Sequence, residues 1–132
     1  MIDAQYLKSI LDLAKASGYA GVTSGLLVKT FCPNSDSDEE FHKFKYHMDE
    51  IWAAGLLRVY HGSNRNTWGL VGASGSFSLT DKELVLTPSG DQVQVELSKS
   101  HGLENLTKAI KKVAGMAGEE ALKHAVVEFC KM

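Results

Sequence analysis

The stretch that decides the fold is SDEEFHKFKYHMDEIWAAGLLRVY, residues 37–60. Ser37 followed by Glu40 is the pattern of a helix capping box, and acidic residues in a first turn suit the positive end of the helix dipole. Apolar residues then recur at helical spacing and predict one long helix with an apolar stripe. These residues are Phe41, Phe44, Met48, Ile51 and Trp52. Gly55 ends the helix, and residues 56–61 predict a strand directly after it.

The residues after this strand predict a β-hairpin. Residues 62–66 (GSNRN) are rich in turn-forming types, so we expect residues 67–71 to return beside residues 56–61. Residues 72–76 (GASGS) predict a flexible loop. Two further short extended segments are predicted at residues 77–79 and 84–86.

Two helices are predicted before the central stretch. Asp3 is placed to cap the first, whose apolar residues recur at helical spacing; they are Leu7, Ile10, Leu11 and Ala14. The second covers residues 24–31, with Thr23 or Ser24 as its cap. The residues expected to face inward on it are Leu26, Leu27 and Phe31.

A fourth helix is predicted after the extended segments. Thr87 followed by Pro88 is a typical N-cap and first helical position, which favours a helix over residues 88–98. The alternative is a strand, because Val93, Val95 and Leu97 alternate. The positional signal of the proline favours the helix.

Two more helices with apolar stripes end the chain. The residues predicted to form a dimer or partner interface on them are Leu103, Leu106, Ile110, Val113, Leu122, Val126 and Phe129. One interpretation is a symmetric homodimer through residues 103–130. The other is that both helices fold back on the rest of the chain. The predicted division is a domain at residues 1–98 and a helical extension at residues 99–132.

Composition indicates a globular chain that needs no disulfide or metal for its core. The 132 residues are 44% hydrophobic and 23% charged, with a net charge of −2. The charge is −1 over residues 1–66, −3 over residues 67–98 and +2 over residues 99–132, so no domain-wide basic field is present. The start of the chain is not typical of a signal peptide, and no apolar run is long enough for a membrane span. We therefore expect a cytoplasmic protein with no membrane association and two free thiols, Cys32 and Cys130.

The sequence contains no pattern typical of catalysis. His42 and His47 are five residues apart, which places them around a helix rather than on the one face that a two-ligand metal site requires. Cys32 and His42 lack an identifiable orienting group. The acidic run at residues 36–40 is better explained as a helix cap than as a calcium loop. We predict a protein that is not an enzyme, with no catalytic residue, no cofactor and no metal site.

The order of elements carries a resemblance. A helix, a short helix, a long helix and a hairpin follow one another as in a winged helix-turn-helix. Residues 46–60 (YHMDEIWAAGLLRVY) resemble the end of a recognition helix and the first strand of a wing, and residues 86–90 (LTPSG) are similar to the segment that opens the next helix. Together these features resemble the small prophage-associated winged-helix proteins of the YjcQ type. That resemblance implies a mainly α fold with a small antiparallel hairpin and a role in gene regulation, with no known site; residues 72–83 depart from the pattern.

Double-stranded DNA is the first partner that this interpretation predicts. In a winged helix the long helix enters a groove and the wing reaches phosphate or the minor groove. The candidate DNA-binding residues are Lys29, His42, Lys43, Lys45, Tyr46, Asn64, Arg65 and Asn66. The acidic entry of the helix, Asp38 to Glu40, opposes this prediction because carboxylates repel phosphate.

A protein partner is the alternative to DNA. A winged helix without DNA contacts serves as a protein module, for instance a phage-encoded modulator of a host protein. Tyr60 and Trp68 are candidate anchors for such a partner, although aromatic residues on strands commonly pack across the sheet instead.

Overall fold

The computed structural model describes residues 2–34, 37–61, 68–73, 76–114 and 121–132. Within them the chain is mainly helical, with a small three-stranded antiparallel sheet and a separate two-stranded hairpin. The helices are α1 (Ala4–Ala16), α2 (Ser24–Phe31), α3 (Asp38–Ala53), α4 (Pro88–Leu97), α5 (Gly102–Val113) and α6 (Ala121–Cys130). The strands are β1 (Val22–Thr23), β2 (Leu57–Val59), β3 (Leu70–Ala73), β4 (Ser76–Leu79) and β5 (Glu83–Leu86).

Helix α3 is continuous, as the central stretch predicted. The Ser37 hydroxyl accepts the backbone N–H of Glu40 at 3.2 Å, which is one half of the capping box. The other predicted bond of the capping box, from the Ser37 N–H to the Glu40 carboxylate, is not formed. That carboxylate accepts the backbone N–H of Asn34 at 3.4 Å instead. The Ser37 N–H donates to the Asn34 carbonyl at 3.0 Å, so a backbone acceptor takes the place of the Glu40 carboxylate. Phe44, Met48 and Ile51 are fully buried, whereas Phe41 and Trp52 are partly exposed.

The first two helices also form where predicted. Asp3 caps α1 by accepting the Tyr6 N–H, and Thr23 caps α2 by accepting the Leu26 N–H. The inward side of α2 was predicted wrongly at Leu26, whose side chain is 44% exposed, while Leu27 is fully buried. A helix of only two turns has one side that faces the core, and Leu27 lies on that side whereas Leu26 does not.

The sheet differs from the predicted hairpin. Strand β2 pairs with β5, with Arg58 opposite Val85, and β5 also pairs with β1, so the strand order is β1–β5–β2. Strand β3 pairs with β4 instead of returning along β2. The cause is Trp68, which is fully buried with its ring edge on Phe44. The Trp68 carbonyl accepts the Ser24 hydroxyl at 2.7 Å, so this segment is held against α2 and α3 and cannot lie beside β2.

Helix α4 settles the ambiguity between helix and strand at residues 88–98. Thr87 is the N-cap and accepts the Gly90 N–H, with Pro88 at the first helical position. Val93 and Leu97 are buried and lie four residues apart on the inner face. Val95 lies on the opposite face and is largely exposed.

The last two helices complete the core. Helix α5 packs on α1, α4 and α6, and α6 also packs on α3. One apolar cluster therefore includes residues from both sides of position 98, from Leu7 on α1 to Phe129 on α6. Both cysteines are free thiols.

Candidate functional site

Those predicted DNA-binding residues that the structure describes do not form one free cationic surface. Lys29 on α2 and His42, Lys43 and Tyr46 on α3 are exposed, whereas Lys45 is partly buried. The remaining candidates, Asn64, Arg65 and Asn66, lie outside the described residues.

Lys43 is paired with the cap of α1. Its ammonium lies 3.1 Å from a carboxylate oxygen of Asp3 and 4.7 Å from the centre of the Tyr6 ring. The backbone N–H of Tyr6, together with Lys43, holds the pKa of the Asp3 carboxyl below its usual value. The charge of Lys43 therefore has an acidic partner within the chain.

Lys45 is paired within α3. Its ammonium lies 2.6 Å from Asp49, whose other carboxylate oxygen accepts the indole N–H of Trp68 at 2.9 Å. Because Trp68 is fully buried, this bond holds Asp49 in a fixed position at the edge of the core. Trp68 is thus a structural anchor and not the exposed partner anchor that the sequence suggested.

The charge of α3 as a whole is negative. Residues 38–53 contain five carboxylates and two lysines, a net charge of −3. Asp38 and Glu39 are exposed in the first turn of α3, the end that would approach bases if α3 were the predicted recognition helix. An anionic ligand would meet these carboxylates first.

His47 is a buried structural group. Its Nε2 accepts the backbone N–H of Asp3 at 2.9 Å, and its Nδ1 lies 2.8 Å from the Lys43 carbonyl. A backbone N–H can only donate and a carbonyl can only accept, so the ring is neutral with the proton on Nδ1. Burial lowers the pKa of the imidazole, in agreement with that form.

The apolar stripes of the last two helices are covered within the chain. Leu106, Val113, Leu122 and Phe129 are buried, and the other predicted interface residues pack partly buried against the same core; these are Leu103, Ile110 and Val126. The second interpretation, helices folded back on the domain, describes this arrangement.

The described residues also form an open groove at the surface. Its volume is about 610 Å³, and its walls come from the end of α1, from β2 and β5 and from the start of α4. Arg58 on β2 and Tyr60 just after it line the groove on the same face of the sheet as Val85, and Pro88 adds a second apolar residue. Tyr60 is 40% exposed, as a partner anchor requires.

Sequence reasoning did not find this groove. Its lining residues come from four separate elements, and the pairing of β2 with β5 brings them together. The available signals were the alternation of Arg58 and Tyr60 on one strand and Tyr19 between two glycine-containing turns.

The described residues contain no cluster of histidine, cysteine, aspartate and glutamate side chains suited to hold a metal ion. No helix in the described part of the chain is both long enough and apolar enough to cross a membrane. The chain matches no protein-family model, no curated protein and no solved structure.

Proposed function

We propose that the chain is a winged-helix module that binds another protein and does not read DNA. The winged-helix assignment is supported by the element order α1–β1–α2–α3–β2–β5 and by the strand order β1–β5–β2. In this assignment α3 is the recognition helix, and the β3–β4 hairpin lengthens the wing between β2 and β5.

The charges on and around α3 support a protein partner over DNA. Lys43 is matched by Asp3 and Lys45 by Asp49, so neither lysine adds net positive charge to the surface around it. A surface ion pair contributes only about 0–1 kcal/mol, and a phosphate could displace either carboxylate as a partner of lysine. The displaced carboxylates would nevertheless stay beside the phosphates, together with Asp38 and Glu39, and repel them.

DNA binding is the second candidate, and one observation favours it. Lys29 lies on the exposed side of α2, the helix that contacts the backbone beside a recognition helix, and no acidic partner for it is found among the described residues. A contact to phosphate from Lys29 would add to binding through the wing.

A fluorescence-anisotropy titration with random-sequence duplex DNA tests the choice. We expect no saturable binding at about 50 mM salt, where DNA-binding proteins bind even non-specific sequences most strongly. The matched control is the Asp38→Asn/Glu39→Gln double variant, which removes two exposed carboxylates and should bind DNA better than the wild type if repulsion is the cause.

Saturable binding by the wild type, with affinity that falls steeply with salt and is weakened by Lys43→Ala and Arg65→Ala, would overturn the proposal in favour of DNA. For the protein role, cross-linking in cells identifies the partner. A complex of fixed stoichiometry, reconstituted from purified components and stable without nucleic acid, is the expected result.

A further inference from the structure

We infer that the groove between α1, β2, β5 and α4 is the docking site for an acidic peptide segment of the partner, with an apolar side chain as its anchor. The inference rests on the proposed protein-binding function and adds the place and the chemistry of the contact. Charge complementarity and the composition of the lining both support it.

Arg58 gives the groove a positive charge that has no acidic partner among the described residues. Its side chain is exposed in the groove, and its one recorded hydrogen bond is a long contact of 3.5 Å to the carbonyl of the adjacent Val59. No carboxylate among the described residues forms an ion pair with it. The other cation of the lining, Lys15, is paired with Asp91. Among the described residues of the lining, Arg58 is therefore the one cation without an acidic partner, and its side chain is the type best suited to bind a carboxylate through two parallel hydrogen bonds.

The start of α4 adds no net positive charge to the groove. Thr87 and Pro88 line the groove, and Asp91 in the first turn opposes the partial positive charge of the helix N-terminus. The nearest acid on the same face of the sheet is Glu83, two residues from Val85 on β5, at the edge of the groove and not in its lining. Glu83 reduces the attraction without neutralising Arg58 by contact.

Aromatic and apolar residues supply the anchor argument. Tyr60 is 40% exposed and Tyr19 is 98% exposed, and both line the groove with the apolar residues Val85 and Pro88. Tyrosine and arginine are enriched among the residues that dominate protein interfaces, where they surround apolar pockets. The volume of 610 Å³ lies in the range of about 300–1,000 Å³ typical of ligand pockets, so it accommodates an anchor side chain and its neighbours.

The probe for the experiment is a library of random peptides displayed on phage, selected on the full chain. We expect the bound peptides to be enriched in aspartate or glutamate next to leucine or phenylalanine. The affinity of one selected peptide is then measured by fluorescence anisotropy for the wild type and three variants. Arg58→Gln should weaken binding at least about tenfold, because it removes hydrogen bonds to a charged group.

Two further variants make the test specific. Glu83→Gln removes the competing carboxylate at the edge and should tighten the binding of the acidic peptide. Lys29→Gln removes a positive charge from exposed α2 and should leave the affinity unchanged. Arg58, Glu83 and Lys29 are all exposed, so none of the three substitutions should alter the fold, which an unchanged unfolding midpoint will confirm.

Peptides without acidic residues, an affinity unaffected by Arg58→Gln, or no enriched peptide at all would each overturn the inference. Failure of the inference is distinguishable from failure of the proposed function. A peptide or partner whose NMR shift changes map away from Val85 and Leu86 removes the groove alone. Salt-dependent, saturable binding of DNA removes the protein-binding function.

Discussion

The hydroxyl of Thr87 donates a hydrogen bond of 2.5 Å to the carbonyl of Gly55, so the cap of α4 is bonded to the turn that ends α3. Gly55 has a φ of +70°, which a residue with a side chain rarely adopts, and the Thr87 N–H also donates to the Leu56 carbonyl at 3.0 Å. The winged-helix prediction drew on residues 46–60 and 86–90, and these two stretches therefore touch. Both stretches contribute residues to one contact, the junction between the end of α3 and the start of α4.

Gly90 is the tightest point of this junction. A Cβ atom at this position would overlap the carbonyl oxygen of Leu56, and backbone atoms cannot move aside cheaply. We expect Gly90→Ala to lower the free energy of unfolding by about 1–3 kcal/mol, the usual cost of overpacking. Urea denaturation measures it. The control is Ser89→Ala, one position earlier on the exposed side of the helix, and equal stability of the two variants would contradict the prediction.

The helices were predictable because their signals are local. A local cap and an apolar stripe mark α1 to α4, as Ser37 and Phe44 do for α3 and Thr87 and Val93 do for α4, whereas α5 has an apolar stripe but no side-chain cap. The strand pairing was not predictable in the same way. Strand β1 has two residues, too few for any alternation, and it pairs with β5 some sixty residues later. Proximity along the chain suggested the wrong partner for β2.

In the candidate site, too, local contacts could be predicted from the sequence and tertiary contacts could not. Lys43 and Lys45 could be identified from the sequence as candidate cations of the predicted recognition helix, although the structure leaves only Lys43 exposed. The Asp49 partner of Lys45 is four residues away and was within reach of sequence reasoning, whereas Asp3 is forty residues from Lys43 and meets it only when α1 packs on α3. The groove around Arg58 depends entirely on tertiary structure.

The stability of the protein should fall as the pH falls from 7 towards 5. Burial lowers the pKa of His47 from its ordinary value of 6.5, so below that pH the unfolded state takes up a proton that the folded state does not. The contribution of His47 is complete above pH 6.5 and is lost as the pH falls towards the lower pKa of the folded state. Urea midpoints at several pH values measure it.

His47→Gln tests whether His47 causes this pH dependence of stability, because glutamine cannot titrate. Its unfolding midpoint should change less between pH 7 and 5 than that of the wild type. His124→Gln, an exposed position on α6, is the control and should keep the wild-type slope. Asp3 does not contribute to the same pH dependence. Because its pKa is lowered, its effect on stability falls at more acidic pH. Equal slopes for all three proteins would show that His47 is not the cause.

Glu50 holds the start of α6. Its carboxylate is largely buried and accepts the backbone N–H of Leu122 at 3.4 Å, as a side-chain cap does, although it belongs to α3. Glu50→Ala should lower the stability of α6 by about 1 kcal/mol, the typical value of a cap. Hydrogen exchange should then become about fivefold faster over residues 121–130 and change less in α1. Glu39→Gln, exposed on the same helix, is the control, and unchanged exchange in α6 with Glu50→Ala would refute the role.

Phe129 distinguishes a folded monomer from a dimer held together by the last two helices. Its side chain is buried in the core of its own chain, so Phe129→Ala should lower the free energy of unfolding by about 3–5 kcal/mol. Val127→Ala, on the exposed side of α6, should cost little. If Phe129 acts within one chain, the melting temperature stays constant over a hundredfold dilution, because unfolding then involves no dissociation. A melting temperature that rises with protein concentration, together with a dimer mass by light scattering, would instead place these helices between two chains.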